Sequence, residues 1–136
     1  MDDKDKLDQQ IEEFSEQQDD AKDHIWKINF YGAAYREGAG AGVWINHPKG
    51  DSKLCSYKLV FECTNNMAKY EALILGLKVL KELGAQIIFV HGDSELIINK
   101  IKGIYQEKHP RLRAYRNLVL DLLEKFPEYN LSTIIR

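Results

Sequence analysis

The run at residues 87–90, Ile-Ile-Phe-Val, constrains the fold of this 136-residue chain more than any other feature. Because neighbouring side chains of a strand point to opposite faces, a strand that is apolar throughout must be covered on both faces. Helical patterns precede and follow the run, so helices are the natural covering layers. The run predicts an α/β protein with residues 87–90 as a central parallel strand.

Three further strands are predicted before this run. Residues 25–31 alternate with a period of two, and residues 43–45 and 54–62 are similarly strand-like. The small residues between the first two, at 32–34 and 38–42, predict a tight reversal. Together these segments predict an antiparallel meander.

Helical patterns account for most of the remaining chain. Thr64 begins the first, which ends before Gly84 and places one apolar face at Tyr70, Leu73, Ile74, Leu77 and Leu80. A second helix is predicted from residue 93 to 101, and a third from Pro110 to Phe126. Residues 129–135 complete a mixed five-stranded sheet in the order βββαβααβ.

Charge divides the chain into two parts. Residues 1–24 contain ten Asp or Glu against three Lys, a charge of -7, so the net charge of -2 leaves +5 on residues 25–136. We expect residues 1–24 to be a flexible or weakly helical arm and residues 25–136 to be one domain. The alternative for the arm is a docking or autoinhibitory segment for the basic domain.

The sequence also predicts the cellular compartment of the protein and the redox state of its cysteines. We expect a soluble, intracellular protein, cytoplasmic or nuclear, since no apolar segment has the length of a membrane span and the N-terminus is acidic. Cys55 and Cys63 are eight residues apart in one extended segment, a separation of ~26 Å. They are therefore predicted to be free thiols.

Four strings, in this order along the chain, resemble ribonuclease H type 1 domains, above all those of plant gypsy-type long-terminal-repeat retrotransposons. They are NFYGAAYREGAGAGV (29–43), CTNNMAKYEALILGLKVLKELG (63–84), VHGDSELIINKIKGIYQEKHPRLRAY (90–115) and YNLSTIIR (129–136). They resemble the family's F-D-G-A hairpin, its T-N-N-x-A-E-Y helix, its S-D-S-x-L segment and its last strand. The resemblance implies a ribonuclease H-like fold, and because the chain ends at Arg136 it implies one without the family's C-terminal helix.

The resemblance also implies a chemistry, hydrolysis of the RNA strand of an RNA:DNA hybrid by two Mg²⁺ ions between four carboxylates. Tyr31 falls at the first carboxylate position, Lys69 at the second and Asp93 at the third, and the fourth would lie beyond Arg136. A phenol is neutral at pH 7 and a poor Mg²⁺ ligand, and an ammonium repels the ion. We therefore expect no cofactor and no metal-dependent cleavage, with Asp93 either alone or paired with Lys69.

Other acidic side chains do not replace the lost ligands in this interpretation. Glu71 is two residues past Lys69, about 200° around a helix, and Glu95 suits the first turn of the second helix. Glu37 and Glu62 lie at a turn and at a strand end. All four are expected to be solvated surface groups.

Substrate contacts are a separate prediction. In the family, the residues corresponding to Asn65 and Asn66 contact the nucleic-acid minor groove, and Gly32 and Ser94 flank the metal site. Each has a structural alternative. Thr64 or Asn65 would cap the helix, and a glycine in a tight turn needs no ligand.

The segment from residue 100 to 116 is the best candidate for phosphate contacts. Glu107 is its one acidic residue, and its cationic side chains are Lys100, Lys102, Lys108, Arg111, Arg113 and Arg116. A solvated helix face is the alternative explanation.

Three functions follow. The first is a noncatalytic module that binds RNA:DNA hybrid or double-stranded RNA, or another protein. The second is an active ribonuclease with an altered site or one completed by a second copy, since a missing helix would expose apolar surface for a homodimer. The third is a structural remnant of a retroelement polyprotein. No membrane partner is expected.

Overall fold

A computed structural model describes residues 9–11, 24–92 and 94–133. The elements are β1 (Ile25–Tyr35), β2 (Gly38–Asn46), β3 (Ser52–Leu59), α1 (Asn65–Glu82), β4 (Ile87–Gly92), α2 (Glu95–Lys102), α3 (Pro110–Leu123) and β5 (Glu128–Thr133). The sheet order is β3-β2-β1-β4-β5, in which β4 runs parallel to both β1 and β5. The predicted α/β order βββαβααβ is confirmed.

The core lies between α1 and one face of the sheet. All five apolar residues predicted for the helix face are buried. Gly76 brings the helix close, because a Cβ there would lie 2.9 Å from Val43 Cγ2 and 3.0 Å from Ile28 Cδ1. Ile88, Phe89 and Val90 are almost completely buried, which confirms the central strand predicted from residues 87–90.

The predicted reversal around the first hairpin is wrong in its extent. Residues 32–34 belong to β1 and residues 38–42 to β2, so the turn consists of Arg36 and Glu37. The small residues are needed within the strands, where a helix and an aromatic ring approach the backbone closely. The glycines and alanines at 32–34 and 38–42 therefore allow close packing and do not form the turn.

Two strand ends also differ from the prediction. β3 ends at Leu59 rather than 62, because Leu59 pairs with Ala39 near the start of β2 and the residues beyond it have no strand partner. β4 continues to Gly92, since β1 and β5 supply partners on both sides.

Part of the acidic arm contacts the other face of the sheet. Residues 9–11 are helical, and Ile11, like Ile87, packs against the buried pair Ile25 and Phe89. The Ser132 hydroxyl donates a hydrogen bond to Gln10 Oε1. The rest of the predicted arm lies outside the described residues, so its flexible or helical character stays a prediction.

Cys55 and Cys63 are free, as predicted. Within the described part of the chain, no helix combines the length and the apolar character needed to cross a membrane.

Candidate nucleic-acid interface

Tyr31 lies on the sheet face opposite α1 and is 42% exposed. Its strand partner is Gly42, and a Cβ added to Gly42 would lie 2.4 Å from Tyr31 Cζ. The phenol ring therefore rests over the backbone of β2. Any side chain at position 42 would displace it.

Gly32, the next residue, faces α1 at backbone contact distance. A Cβ there would lie 2.4 Å from the Ala68 carbonyl carbon and oxygen and 2.6 Å from the Lys69 nitrogen. This contact brings the neighbour of Tyr31 against the backbone of Lys69. It also explains Gly32 by the approach of a helix, without a bound phosphate.

The end of β4 reaches the same corner. Gly92 pairs with Phe30, the residue before Tyr31, and a Cβ on Gly92 would lie 2.4 Å from the Phe30 ring. Asp93 follows Gly92 but lies outside the described residues, and so does the predicted pairing of Lys69 with Asp93. The strand that leads to the third carboxylate position is thus in the expected place.

The side chains at this corner do not fit a two-metal centre. Tyr31 offers a neutral phenol and Lys69 an ammonium, where Mg²⁺ requires several anionic or carbonyl oxygens. Across residues 9–11, 24–92 and 94–133, no group of three or more His, Cys, Asp or Glu is arranged to hold a metal ion.

The start of α1 is held in place by two side chains of the T-N-N string. Thr64 is the N-cap, and its Oγ1 accepts a hydrogen bond from the Met67 backbone N–H at 3.2 Å. Asn65 Oδ1 accepts one from the backbone N–H of Ala34 on β1 at 2.6 Å. Of the two predicted cap residues, Thr64 is therefore the cap, and Asn65 ties the helix start to the first hairpin.

Ser94 caps α2. Its Oγ accepts a hydrogen bond from the Ile97 backbone N–H at 3.2 Å. This local role accounts for the serine next to Asp93 without a ligand.

Glu107, the one acidic residue of the basic segment, is buried. Its Oε2 lies 3.0 Å from Lys100 Nζ, and its Oε1 accepts a hydrogen bond from the Tyr70 hydroxyl at 3.0 Å. The Lys100 side chain is only 14% exposed, so its charge is used inside the protein. Arg116 is also engaged, since its Nε donates to the Lys100 carbonyl oxygen.

The other four predicted cations of the segment are exposed, namely Lys102, Lys108, Arg111 and Arg113. Arg111 lines a groove of about 630 Å³ together with Phe61, Met67 and Leu118. Met67 directly follows Asn66, so this groove brings the start of α1 and part of the basic segment together. The sequence predicts the T-N-N string and the basic segment separately but does not predict that they lie next to each other.

Glu71 is not the solvated group expected from the sequence. Its carboxylate accepts hydrogen bonds from the Tyr115 hydroxyl at 2.7 Å and the Tyr57 hydroxyl at 3.2 Å, and so joins α1 to α3 and β3. Burial, with the Glu71 charge, raises the pKa of Tyr57 to about 12, and raises the pKa values of Tyr115 and Cys63 above their ordinary range. The hydrogen bonds of Glu71 form only when α1, α3 and β3 have packed together. No local sequence pattern predicts them.

The sheet order, the helix against its first strands and the converging corner define a ribonuclease H-like domain. The sequence model of the family described as "Reverse transcriptase-like" matches residues 29–136. The chain belongs to this family.

Similar proteins include known ribonucleases H. Ribonuclease HI of Halobacterium salinarum is 33% identical over 73 residues, which are 54% of this chain and 37% of that protein. The crystal structure of RNase H1 from the same organism superposes with a TM-score of 0.77 at 26% identity, over 82% of this chain and 86% of that one. LC11-RNase H1, crystallised in complex with RNA/DNA hybrid, superposes with a TM-score of 0.72 at 31% identity, over 82% and 86%. The chain spans well under half the length of the curated relatives it matches.

Proposed function

We propose that this domain is a retroelement-derived ribonuclease H-like module that binds RNA:DNA hybrid or double-stranded RNA and has lost two-metal hydrolysis. One observation carries the proposal. Gly32, the residue after Tyr31, contacts the backbone of Lys69, and the family resemblance assigns metal-binding carboxylates to the positions of Tyr31 and Lys69.

The charge argument against cleavage does not depend on where the chain ends. Replacing two carboxylates by a phenol and an ammonium changes the local charge by three units in the direction that repels a divalent cation. Asp93 remains as one carboxylate at these three positions, too few ligands for two ions.

Binding is supported by features separate from that corner. Asn65 is fixed against β1, and Arg111 lines the groove beside the start of α1. Lys102 and Arg113 are exposed cations of the same segment and are assigned to phosphate contacts, and Asn66 directly precedes Met67, which lines the groove. A solved relative, LC11-RNase H1, was crystallised with an RNA/DNA hybrid, which favours the same ligand class here.

Fluorescence anisotropy with a labelled blunt RNA:DNA hybrid tests the binding. We expect affinity that falls steeply with salt, and weaker binding with a shallower salt slope for the variant Arg111→Ala/Arg113→Ala, since each lost phosphate contact lowers the slope by about 0.9. The matched control, Lys78→Ala/Lys125→Ala, removes two exposed lysines elsewhere and should change affinity much less. Equal losses of affinity in both variants would show that binding depends on the net charge of the protein and not on this interface.

Metal dependence tests the loss of cleavage. The protein should leave the hybrid intact in Mg²⁺ or Mn²⁺, whereas Tyr31→Asp/Lys69→Glu should gain measurable Mn²⁺ binding by calorimetry. Cleavage by the unaltered protein would contradict the proposal. If that cleavage also rose with protein concentration as a dimer formed, it would favour the ribonuclease completed by a second copy.

A further inference from the structure

The sheet face opposite α1 carries exposed aromatic and apolar side chains along β1, β2 and β3. Tyr35 is 72% exposed, and Tyr31, Trp44 and Leu54 are each about two-fifths exposed. The strand register places them on one face, since Asn29 pairs with Trp44, Trp44 with Leu54, and Tyr31 with Gly42. Single exposed aromatics are ordinary, but a group on one flat face indicates a binding surface.

A groove of about 720 Å³ lies at the hairpin end of this face. Tyr31, Tyr35 and Lys58 line it, with Gly40 in its wall and Glu37 at the turn. Gly40 and Gly42 have no side chains, so this part of the sheet presents bare backbone. The Tyr31 ring is braced over Gly42 and pre-positioned as a flat surface.

The charge of this face suits a polyanion. Within the described strands β1 to β3, the charged residues that the register places on this face are Lys27 and Lys58, and none is acidic. Glu37, in the turn, also lines the groove, so Lys58 is placed to bind a phosphate on the side of the groove formed by β3. Exposed aromatic rings next to cations are the combination that binds unpaired bases and their phosphates.

We propose that this groove binds single-stranded nucleic acid, with bases stacked on Tyr31 and Tyr35 and a phosphate at Lys58. The bases of a duplex are already stacked on each other, so this surface selects unpaired nucleotides. The inference rests on the proposed function for its ligand class and adds a second, distinct surface.

The two surfaces lie on opposite faces of the sheet and are linked along β1 by one residue. Ala34 lies between the groove residues Tyr31 and Tyr35 on β1, and its N–H is bound by Asn65 of the T-N-N string. A hybrid held at the start of α1 thus has the groove beside it. A single-stranded tail on that hybrid is the occupant that reaches both.

Anisotropy with three labelled probes tests this site: a 12-nucleotide single strand, a blunt RNA:DNA hybrid, and the hybrid with a single-stranded tail. Tyr35→Ala should weaken binding of the single strand about tenfold, as loss of one stacked base requires, and Lys58→Ala should lower its salt slope by about 0.7. The matched control is Tyr129→Ala, an exposed tyrosine on the far edge strand β5. Binding of the blunt hybrid should be unchanged in all three variants.

The outcomes separate this site from the proposed function. If the hybrid binds but Tyr35→Ala and Lys58→Ala leave the single strand and the tail unaffected, the groove inference is wrong and the proposed function stands. If the single strand binds through the groove but no hybrid does, the proposed function is wrong and the groove remains. If Tyr35→Ala instead abolishes a dimer in sedimentation without changing oligonucleotide binding, the face is an interface between copies and the inference is wrong.

Discussion

At the scale of residues, the buried Glu107 side chain connects three parts of the fold. It satisfies Lys100 and Tyr70 at once, and so fixes the loop between α2 and α3 to the core helix α1. Removing one partner of a buried ion pair leaves the other charge uncompensated. We expect Glu107→Ala to lower the free energy of unfolding by about 3–5 kcal/mol in urea titrations.

Two companion variants make that experiment specific. Glu124→Ala, an exposed glutamate just after α3, should change stability by less than about 0.5 kcal/mol. Lys100→Met/Glu107→Leu removes both charges and should recover much of the loss. A Glu107→Ala protein as stable as the Glu124→Ala control would show that the pair does not stabilise the fold.

The tyrosines around Glu71 make stability depend on alkaline pH. Burial and Glu71 raise the pKa of Tyr57 from 10.0 to about 12, and raise that of Tyr115 further. A phenol whose pKa is higher in the folded state contributes stability that is complete below pH 10 and is lost as the pH rises toward 12. We expect the melting temperature to fall across that window, with phenolate absorbance rising late.

Phenylalanine variants identify the groups responsible. Tyr57→Phe/Tyr115→Phe should lessen the loss of stability between pH 10 and pH 12, the remainder coming from Tyr70, whose pKa is raised by burial and Glu107, while Tyr35→Phe at the exposed hairpin should leave the loss unchanged. An unaltered pH profile in the double variant would assign the alkaline loss to other groups.

At the scale of elements, a close contact between the backbones of β1 and α1 positions the site. Gly32→Ala would force its Cβ into the carbonyl of Ala68, and neither backbone can yield without moving the helix. We expect a loss of about 1–3 kcal/mol or more in unfolding titrations. Gly40→Ala is the matched control, because the nearest atom to its Cβ would be 3.9 Å away. Similar effects of both substitutions would attribute the loss to strand propensity instead.

The order of the elements could be predicted from periodicity alone. Residues 87–90 are apolar throughout and fit only a strand covered on both faces, and the apolar stripe of α1 fits only a helix packed on a core. The first hairpin could not be predicted in this way. Its glycines are typical of turns, and the reason for them, a helix at Gly32 and a ring at Gly42, comes from other parts of the chain. The tyrosine contacts of Glu71 and Glu107 could not be predicted for the same reason, because these tyrosines lie 14 to 44 residues away in sequence.

For the whole molecule, the acidic arm opposes the ligand proposed for the domain. Residues 1–24 carry -7 against +5 on the remainder, and Ile11 is anchored on the same sheet face as the aromatic groove. We expect deletion of residues 1–24 to tighten binding of hybrid and single strand at low salt, with the difference shrinking as salt screens it. The measurement is anisotropy over a salt series.

A neutralised arm is the control for that deletion. The full chain with Asp19, Asp20 and Asp23 changed to Asn should move partway toward the deleted protein if charge is the cause. Deletion that weakens binding would make the arm part of the binding surface.

The sequence by itself determined the layered α/β architecture and the free cysteines. These follow from local periodicity and from chain geometry. The tertiary structure alone decided which charges remain available, because Lys100 is neutralised by Glu107 when the loop folds back on α2, and Glu71 is bonded by Tyr115, which is distant in the chain. It also decided that small residues serve close packing and that Tyr31, Tyr35 and Lys58 share one groove, since faces and contacts exist only once strands pair in register.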